Sequence, residues 1–172
     1  MTSTVKGFRL DDETLTELGS DSRKRRITMS NHVCNILTNY NGSYRHLERL
    51  HYVWSSRELI TELIKNIDSK CLEKLSEILA RDLKKQIRYS LGEFDAKAIM
   101  QTIESNCLIQ DIPFTEKDLQ SGSVRYTLFH ELGKNWTSIT KMVIDRLLKN
   151  TNTRVTDFDG NGDYMSFTIN YD

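Results

Sequence analysis

The sequence is poor in residues that interrupt regular structure, with one proline and eight glycines in 172 residues. This scarcity predicts a chain made mostly of helices and strands joined by short turns. No apolar run approaches the roughly 18 residues that a membrane helix needs. The first residues also lack the apolar core of a signal peptide. We therefore expect a cytoplasmic protein with no membrane partner.

Cysteine is scarce, and neither sign of charge is in excess. Cys34, Cys71 and Cys107 are odd in number and widely spaced, which favours reduced thiols over a disulfide framework. The formal net charge is zero. A neutral total argues against nucleic-acid binding over the whole surface, but it permits a local basic patch such as the run R-K-R-R at residues 23–26.

The stretch K-G-F-R-L, residues 6–10, alternates between apolar and other side chains. In a strand, Phe8 and Leu10 would face one way, and Gly7 and Arg9 would face the other. A strand this short needs a partner for its apolar face. Arg9 must then point either at solvent or at something negative.

Two helices are predicted after this strand. The acids Asp11 and Asp12 indicate the start of a helix that ends near Arg25. Thr28 or Ser30 can cap a second helix, whose apolar positions recur at helical spacing: Met29, Val33, Ile36, Leu37 and Tyr40. A strand and two helices within about 42 residues are too few to bury a core alone. We therefore expect two copies to pair their strands antiparallel, with Phe8 and Leu10 packed on both helix pairs.

The rest of the chain is predicted to form further helices, followed by a region that contains both strands and a helix. Helices are predicted over about 56–67, 68–90, 95–106 and 136–148, a strand over V-R-Y-T-L-F, and a hairpin around Asn161-Gly162. The predicted fold class is α+β. We expect three parts: residues 1–43 for dimerisation and binding, a helical connector over 44–110, and a small α+β domain over 111–172.

The segments G-F-R-L-D-D-E-T-L-T-E-L and I-T-M-S-N-H-V-C-N-I-L-T-N-Y resemble the strand and helices of the ribbon-helix-helix family of dimeric DNA-binding regulators. The resemblance covers roughly residues 3–42. It implies an intertwined dimer whose two-stranded ribbon enters the major groove of double-stranded DNA, while the start of the second helix holds a backbone phosphate.

The resemblance assigns roles to individual residues. The base-reading positions are Arg9, Val5 and Gly7, of which Arg9 can donate two hydrogen bonds to guanine. The phosphate-binding positions are Lys6, Arg23, Lys24, Arg25, Arg26, Thr28, Met29 and Ser30. The dimer core is expected to contain Phe8, Leu10, Leu15, Leu18, Val33, Ile36 and Leu37. The family usually turns between its helices at a glycine or asparagine, whereas this chain has lysine and arginine there.

Several motifs have a structural interpretation that is simpler than a functional one. Arg9 could instead be a solvated residue paired with Asp11 or Glu13. The pair His130-Glu131 lacks the second histidine of a zinc protease motif, so we interpret His130 as closing a strand. The segment from Asp157 to Asp163 begins like a calcium loop but lacks the acid at its twelfth position, and it predicts a hairpin. His32 and Cys34 have no partner ligands at metal-binding spacing.

These observations predict a sequence-specific DNA-binding transcriptional regulator that is a homodimer and not an enzyme, with no cofactor and no metal. The stretch F-H-E-L-G-K-N-W, residues 129–136, resembles the C-terminal region of archaeal ribbon-helix-helix proteins, and a site for an effector there is left open. Association of neighbouring dimers on DNA is also left open. Two alternatives remain: an antitoxin that regulates its own operon, and a dimerisation protein that binds no DNA.

Overall fold

The computed structural model describes residues 7–45, 48, 55–119, 122–149, 151 and 153–171, except for the side chain of residue 43. The chain divides into two compact units, Met1–Asn41 and Gly42–Asp172, called here the N-terminal and C-terminal units. The first predicted boundary, at residue 43, lies close to this division. The predicted boundary near residue 110 falls inside the C-terminal unit.

The N-terminal unit contains helices α1 (Asp12–Lys24) and α2 (Met29–Asn39), and a π-helical turn over Tyr40–Tyr44 follows α2. Asp11 begins α1, because its side chain accepts a hydrogen bond from the amide of Thr14 at 2.7 Å. Thr28 begins α2 in the same way, accepting from the amide of Asn31 at 3.2 Å. Both predicted helices are therefore confirmed.

The predicted strand from Lys6 to Leu10 is not formed by the described residues of the chain. Gly7–Leu10 are in neither a helix nor a strand, and all four residues are exposed. Val5 and Lys6 lie outside the described residues. A two-stranded ribbon takes its hydrogen bonds from a second chain.

The C-terminal unit has four described helices and four described strands. They are α3 (Arg57–Lys65), α4 (Ser69–Leu91), α5 (Ala96–Ile109), β1 (Phe114–Asp118), β2 (Ser123–Phe129), α6 (Lys134–Leu148), β3 (Arg154–Gly160) and β4 (Tyr164–Asn170). Ser56, Asp68 and Asp95 cap the first three of these helices through their side chains. The predicted helices and the predicted hairpin are confirmed, and β1 was not predicted.

The four strands form one antiparallel sheet in the order β1-β2-β4-β3. Strand β4 is central, and its Met165, Phe167 and Ile169 are 0% exposed. These residues share one core with Ile99 of α5 and Ile144 of α6. The structure does not separate a helical connector from a C-terminal domain, as the sequence analysis expected, because residues of the middle helices share one core with the sheet and with α6.

Two polar side chains join α3 to the rest of the C-terminal unit. Arg57 donates to the backbone oxygens of His130 at 3.3 Å and of Gln110 at 3.1 Å. The Nδ2 atom of Asn135 donates to the backbone oxygens of Ile64 and Ile67, at 2.9 and 3.1 Å. Arg57 thus ties α3 to the end of α5 and to the residue after β2, and Asn135 satisfies carbonyl groups at the end of α3.

His130 occupies a buried corner where β2 ends. Its Nδ1 atom accepts from the amide of Leu132 at 3.0 Å, and its Nε2 atom lies 3.0 Å from the hydroxyl of Thr137. Thr137 in turn donates to the backbone oxygen of Asn161 in the turn between β3 and β4. Because Nδ1 accepts, the ring is neutral and carries its proton on Nε2. The interpretation of His130 as the residue that closes a strand is confirmed, since β2 ends at Phe129.

Burial of His130 predicts a loss of stability in mild acid. Burial lowers the pKa of the ring below its ordinary value of 6.5, against a smaller opposing effect of Asp163. The unfolded chain binds a proton near pH 6.5 while the folded chain does not, so the free energy of unfolding falls as the pH drops below that value. We expect the free energy of unfolding, measured by urea denaturation, to fall with decreasing pH by an amount approaching about 1.4 kcal/mol per pH unit.

The control for this prediction is His130→Gln, which keeps a polar side chain but does not titrate. Its stability should change less between pH 7 and pH 5 than that of the parent protein. An unchanged slope in the variant would show that other groups cause the acid sensitivity.

Candidate nucleic-acid interface

The turn between α1 and α2 is built by backbone hydrogen bonds. The amide of Arg25 donates to the oxygen of Asp21 at 3.0 Å, and the amide of Ile27 donates to that of Ser22 at 3.1 Å. Arg26 lies between them with φ of 54°. This left-handed conformation favours glycine or asparagine. The turn between α1 and α2 thus holds Arg26 in a conformation that residues other than glycine and asparagine rarely adopt.

The start of α2 is an exposed helix N-terminus. Thr28 uses its side chain to accept from Asn31, and Thr28, Met29 and Ser30 are all exposed. Within the described chain, no acceptor is found for the amides of Met29 and Ser30. Free amides at the positive end of a helix dipole are suited to hold an anion.

Four cationic side chains lie directly before this helix N-terminus. Arg23, Lys24, Arg25 and Arg26 are exposed. Lys24 forms an exposed ion pair with Asp21 at 3.1 Å, which is weak at the surface. The three arginines form no salt bridge with any described carboxylate. The positive charge of the turn is thus largely available to an external anion.

Arg9 is exposed and stands apart from these cations along the chain. In the described segment it forms no salt bridge with Asp11 or Glu13. The carboxylate of Asp11 instead accepts from both the amide and the hydroxyl of Thr14, at 2.7 and 2.8 Å. Gly7, the neighbour on the same predicted strand face, has no heavy atom within 4 Å of where a Cβ would lie.

The predicted dimer-core residues are not buried in the single chain. Phe8 is 71% exposed, and Ile36 and Leu37 are 44% and 43% exposed. With the other large apolar side chains that are exposed in this unit they form what we call the N-terminal apolar surface: Phe8, Leu10, Leu15, Met29, Ile36, Leu37 and Tyr40. Leu18 and Val33 are half-buried.

The buried residues described in the N-terminal unit are Gly19, Ser22 and His32. A Cβ at Gly19 would lie 3.3 Å from the terminal methyl of Met29. Gly19 thus allows α1 to approach α2 closely. The sequence signal for this contact is a glycine inside a helical pattern.

None of the described helices is long and apolar enough to cross a membrane. No protein-family model and no curated protein matches this chain, so the ribbon-helix-helix resemblance stands on the residues of the N-terminal segment.

Proposed function

We propose that the protein is a homodimeric, cytoplasmic regulator that binds double-stranded DNA through a ribbon-helix-helix module formed by residues 1–43. The observation that carries this proposal is the N-terminal apolar surface, since two helices with this many exposed apolar side chains need a partner. No catalytic role is part of the proposal.

A second copy of the same chain is the partner that the sequence pattern favours. Antiparallel pairing of the two N-terminal segments places Phe8 and Leu10 against both helix pairs, together with Ile36 and Leu37. Removing one such side chain from water contributes about 1.5–3 kcal/mol when burial is complete. Several of them per copy suffice for a stable interface.

The same pairing turns Arg9 outward from both strands. A two-stranded ribbon fits the major groove, where Arg can donate to the O6 and N7 atoms of guanine. The amides of Met29 and Ser30 would then hold a backbone phosphate on either side of the ribbon. Arg23, Arg25 and Arg26 add attraction that does not depend on sequence and weakens with salt.

The folded C-terminal unit is an argument against the antitoxin alternative. Antitoxin segments that neutralise a toxin commonly fold on binding, whereas Gly42–Asp172 has its own core of helices and sheet. Measurement of DNA binding distinguishes this proposal from a dimerisation protein that binds no DNA.

The test measures fluorescence anisotropy of labelled DNA fragments from upstream of the protein's own gene, across a salt series. We expect the parent protein to bind one fragment tightly. Arg9→Ala should lose about 1–3 kcal/mol on that fragment, a weakening of about five- to 150-fold, and keep its weak binding to unrelated DNA.

Arg25→Ala is the matched control, because it removes the same charge from a predicted phosphate contact. It should weaken binding to all fragments alike and reduce the salt slope by about one. Absence of binding at low salt would reject the regulator proposal and leave a dimerisation module.

A further inference from the structure

The sheet of the C-terminal unit has a second face that points away from its core. Antiparallel register places alternate residues of each strand on it. We call it the open face and define it by these side chains: Thr115, Lys117, Ser123, Arg125, Thr127, Phe129, Arg154, Thr156, Asp159, Tyr164, Ser166, Thr168 and Asn170. We propose that the open face binds a short single-stranded nucleic acid. This inference rests on the C-terminal unit alone and is independent of the proposed function.

Three cations lie on the open face. Lys117 of β1 and Arg125 of β2 are directly opposite each other, an arrangement of like charges that destabilises a sheet. Arg154 of β3 lies on the same face, opposite Asn170. Of the carboxylates that the structure describes, none forms a salt bridge with these three side chains. Bound phosphate would relieve the repulsion.

Buried hydroxyl groups lie between the cations. Arg125 donates through Nε to the hydroxyl of Ser166 at 2.9 Å. Thr168, directly opposite Arg125 and Thr156, is 3% exposed, and its Oγ1 atom has no hydrogen-bond partner among the described atoms. An unsatisfied buried hydroxyl costs free energy. The Oγ1 atom is closed to solvent, so a ligand oxygen would accept from Thr168 and remove this cost only after neighbouring side chains move aside.

An aromatic pair lies at the other end of the open face. Phe129 is 44% exposed, and its ring centroid is 6.4 Å from that of Tyr164. The hydroxyl of Tyr164 donates to Asp159 at 2.7 Å, which fixes the orientation of the ring. Exposed aromatic rings on a sheet are suited to stack with bases that are not paired.

The cations and the aromatic pair of the open face are spaced so that one ligand can contact both. Arg125 and Phe129 are on the same face of β2, four residues and therefore roughly 13 Å apart. A single strand can place a base on the aromatic pair and extend its phosphates over the hydroxyl groups to Arg125 and Lys117. The combination of a cationic path with a stacking platform is typical of single-strand binding surfaces.

Other occupants match the open face less well. A second copy of the face would bring a second excess of positive charge against the first. Duplex DNA keeps its bases stacked inside, so Phe129 and Tyr164 would have nothing to stack with. Free phosphate would use the cations alone.

The test uses the full chain and a fluorescein-labelled strand of eight thymidines at low salt, with binding measured by fluorescence anisotropy. We expect saturable binding that Arg125→Ala, Lys117→Ala and Phe129→Ala each weaken by at least fivefold. Arg81→Ala and Leu108→Ala are the controls, since both residues are exposed on helices of this unit. They should bind as the parent protein does.

Arg9→Ala should leave this binding unchanged, and Phe129→Ala should leave duplex binding unchanged, so the two proposals can fail separately. Thermal unfolding of each variant checks its fold, and Lys117 and Phe129 are exposed enough to be replaced without loss of the core. The proposal is overturned if the strand does not bind. It is also overturned if Phe129→Ala has no effect while inorganic phosphate competes, because the face would then hold phosphate only.

Discussion

Leu37→Asp is expected to abolish both dimer formation and DNA binding. Leu37 is 43% exposed on α2 in the single chain, and the proposed dimer buries it against the partner. An aspartate there would place an unpaired carboxylate in an apolar interface, at a cost of several kcal/mol. We expect dimerisation weakened on the order of 100-fold or more, measured by sedimentation equilibrium, with a parallel loss in the anisotropy assay.

Asn35→Asp is the matched control for this variant. It adds the same charge to the same helix at an exposed residue, about 200° around the helix from Leu37. It should remain dimeric and bind DNA. If Leu37→Asp also remains dimeric, the N-terminal apolar surface does not join two copies, and the ribbon-helix-helix proposal is wrong.

Phe167→Ala should cause the largest loss of stability in the C-terminal unit. Phe167 is 0% exposed on the central strand β4, with its ring centroid 5.8 Å from that of Tyr126. Truncation of a buried phenylalanine removes its burial and leaves a cavity, which costs about 3–5 kcal/mol. Urea denaturation followed by circular dichroism, at one fixed protein concentration, measures this loss.

Phe129→Ala tests the same truncation on the open face of the same sheet. Because Phe129 is already 44% exposed and its ring pairs with that of Tyr164, we expect a cost below about 1.5 kcal/mol. Equal losses for the two variants would contradict the assignment of the core to the helix-covered face of the sheet.

Helix starts could be predicted because their signals are local. Asp11, Thr28, Ser56, Asp68 and Asp95 each begin a helix through a hydrogen bond to an amide three residues away, and this spacing is visible in the sequence. The apolar stripes of these helices are equally visible in the sequence, but they do not indicate which other element each helix contacts. The sequence alone therefore does not show that the middle helices share one core with the sheet.

Features that depend on a distant partner could not be read from the sequence. Strand β1, F-T-E-K-D, is short and mostly polar, and it forms by pairing with β2. The alternation in V-R-Y-T-L-F does indicate that Arg125 points away from Tyr126. Its position opposite Lys117 and Thr168 follows only from the register of three strands.

Thr28 begins α2, as the sequence predicts, and the cations before it are exposed. Their role in binding DNA stays a prediction. The role of Arg9 remains a prediction, because a ribbon requires hydrogen bonds between two chains. The left-handed backbone of Arg26 could not be foreseen, since arginine carries no local preference for that conformation.

The N-terminal apolar surface has a consequence for inheritance, given the proposed dimer. A chain with Arg9→Ala keeps this surface, so in a cell that also makes the parent protein it would enter mixed dimers with one defective half. Such an allele should be dominant. A chain with Leu37→Asp cannot join a parent chain and would leave parent dimers untouched, so that allele should be recessive.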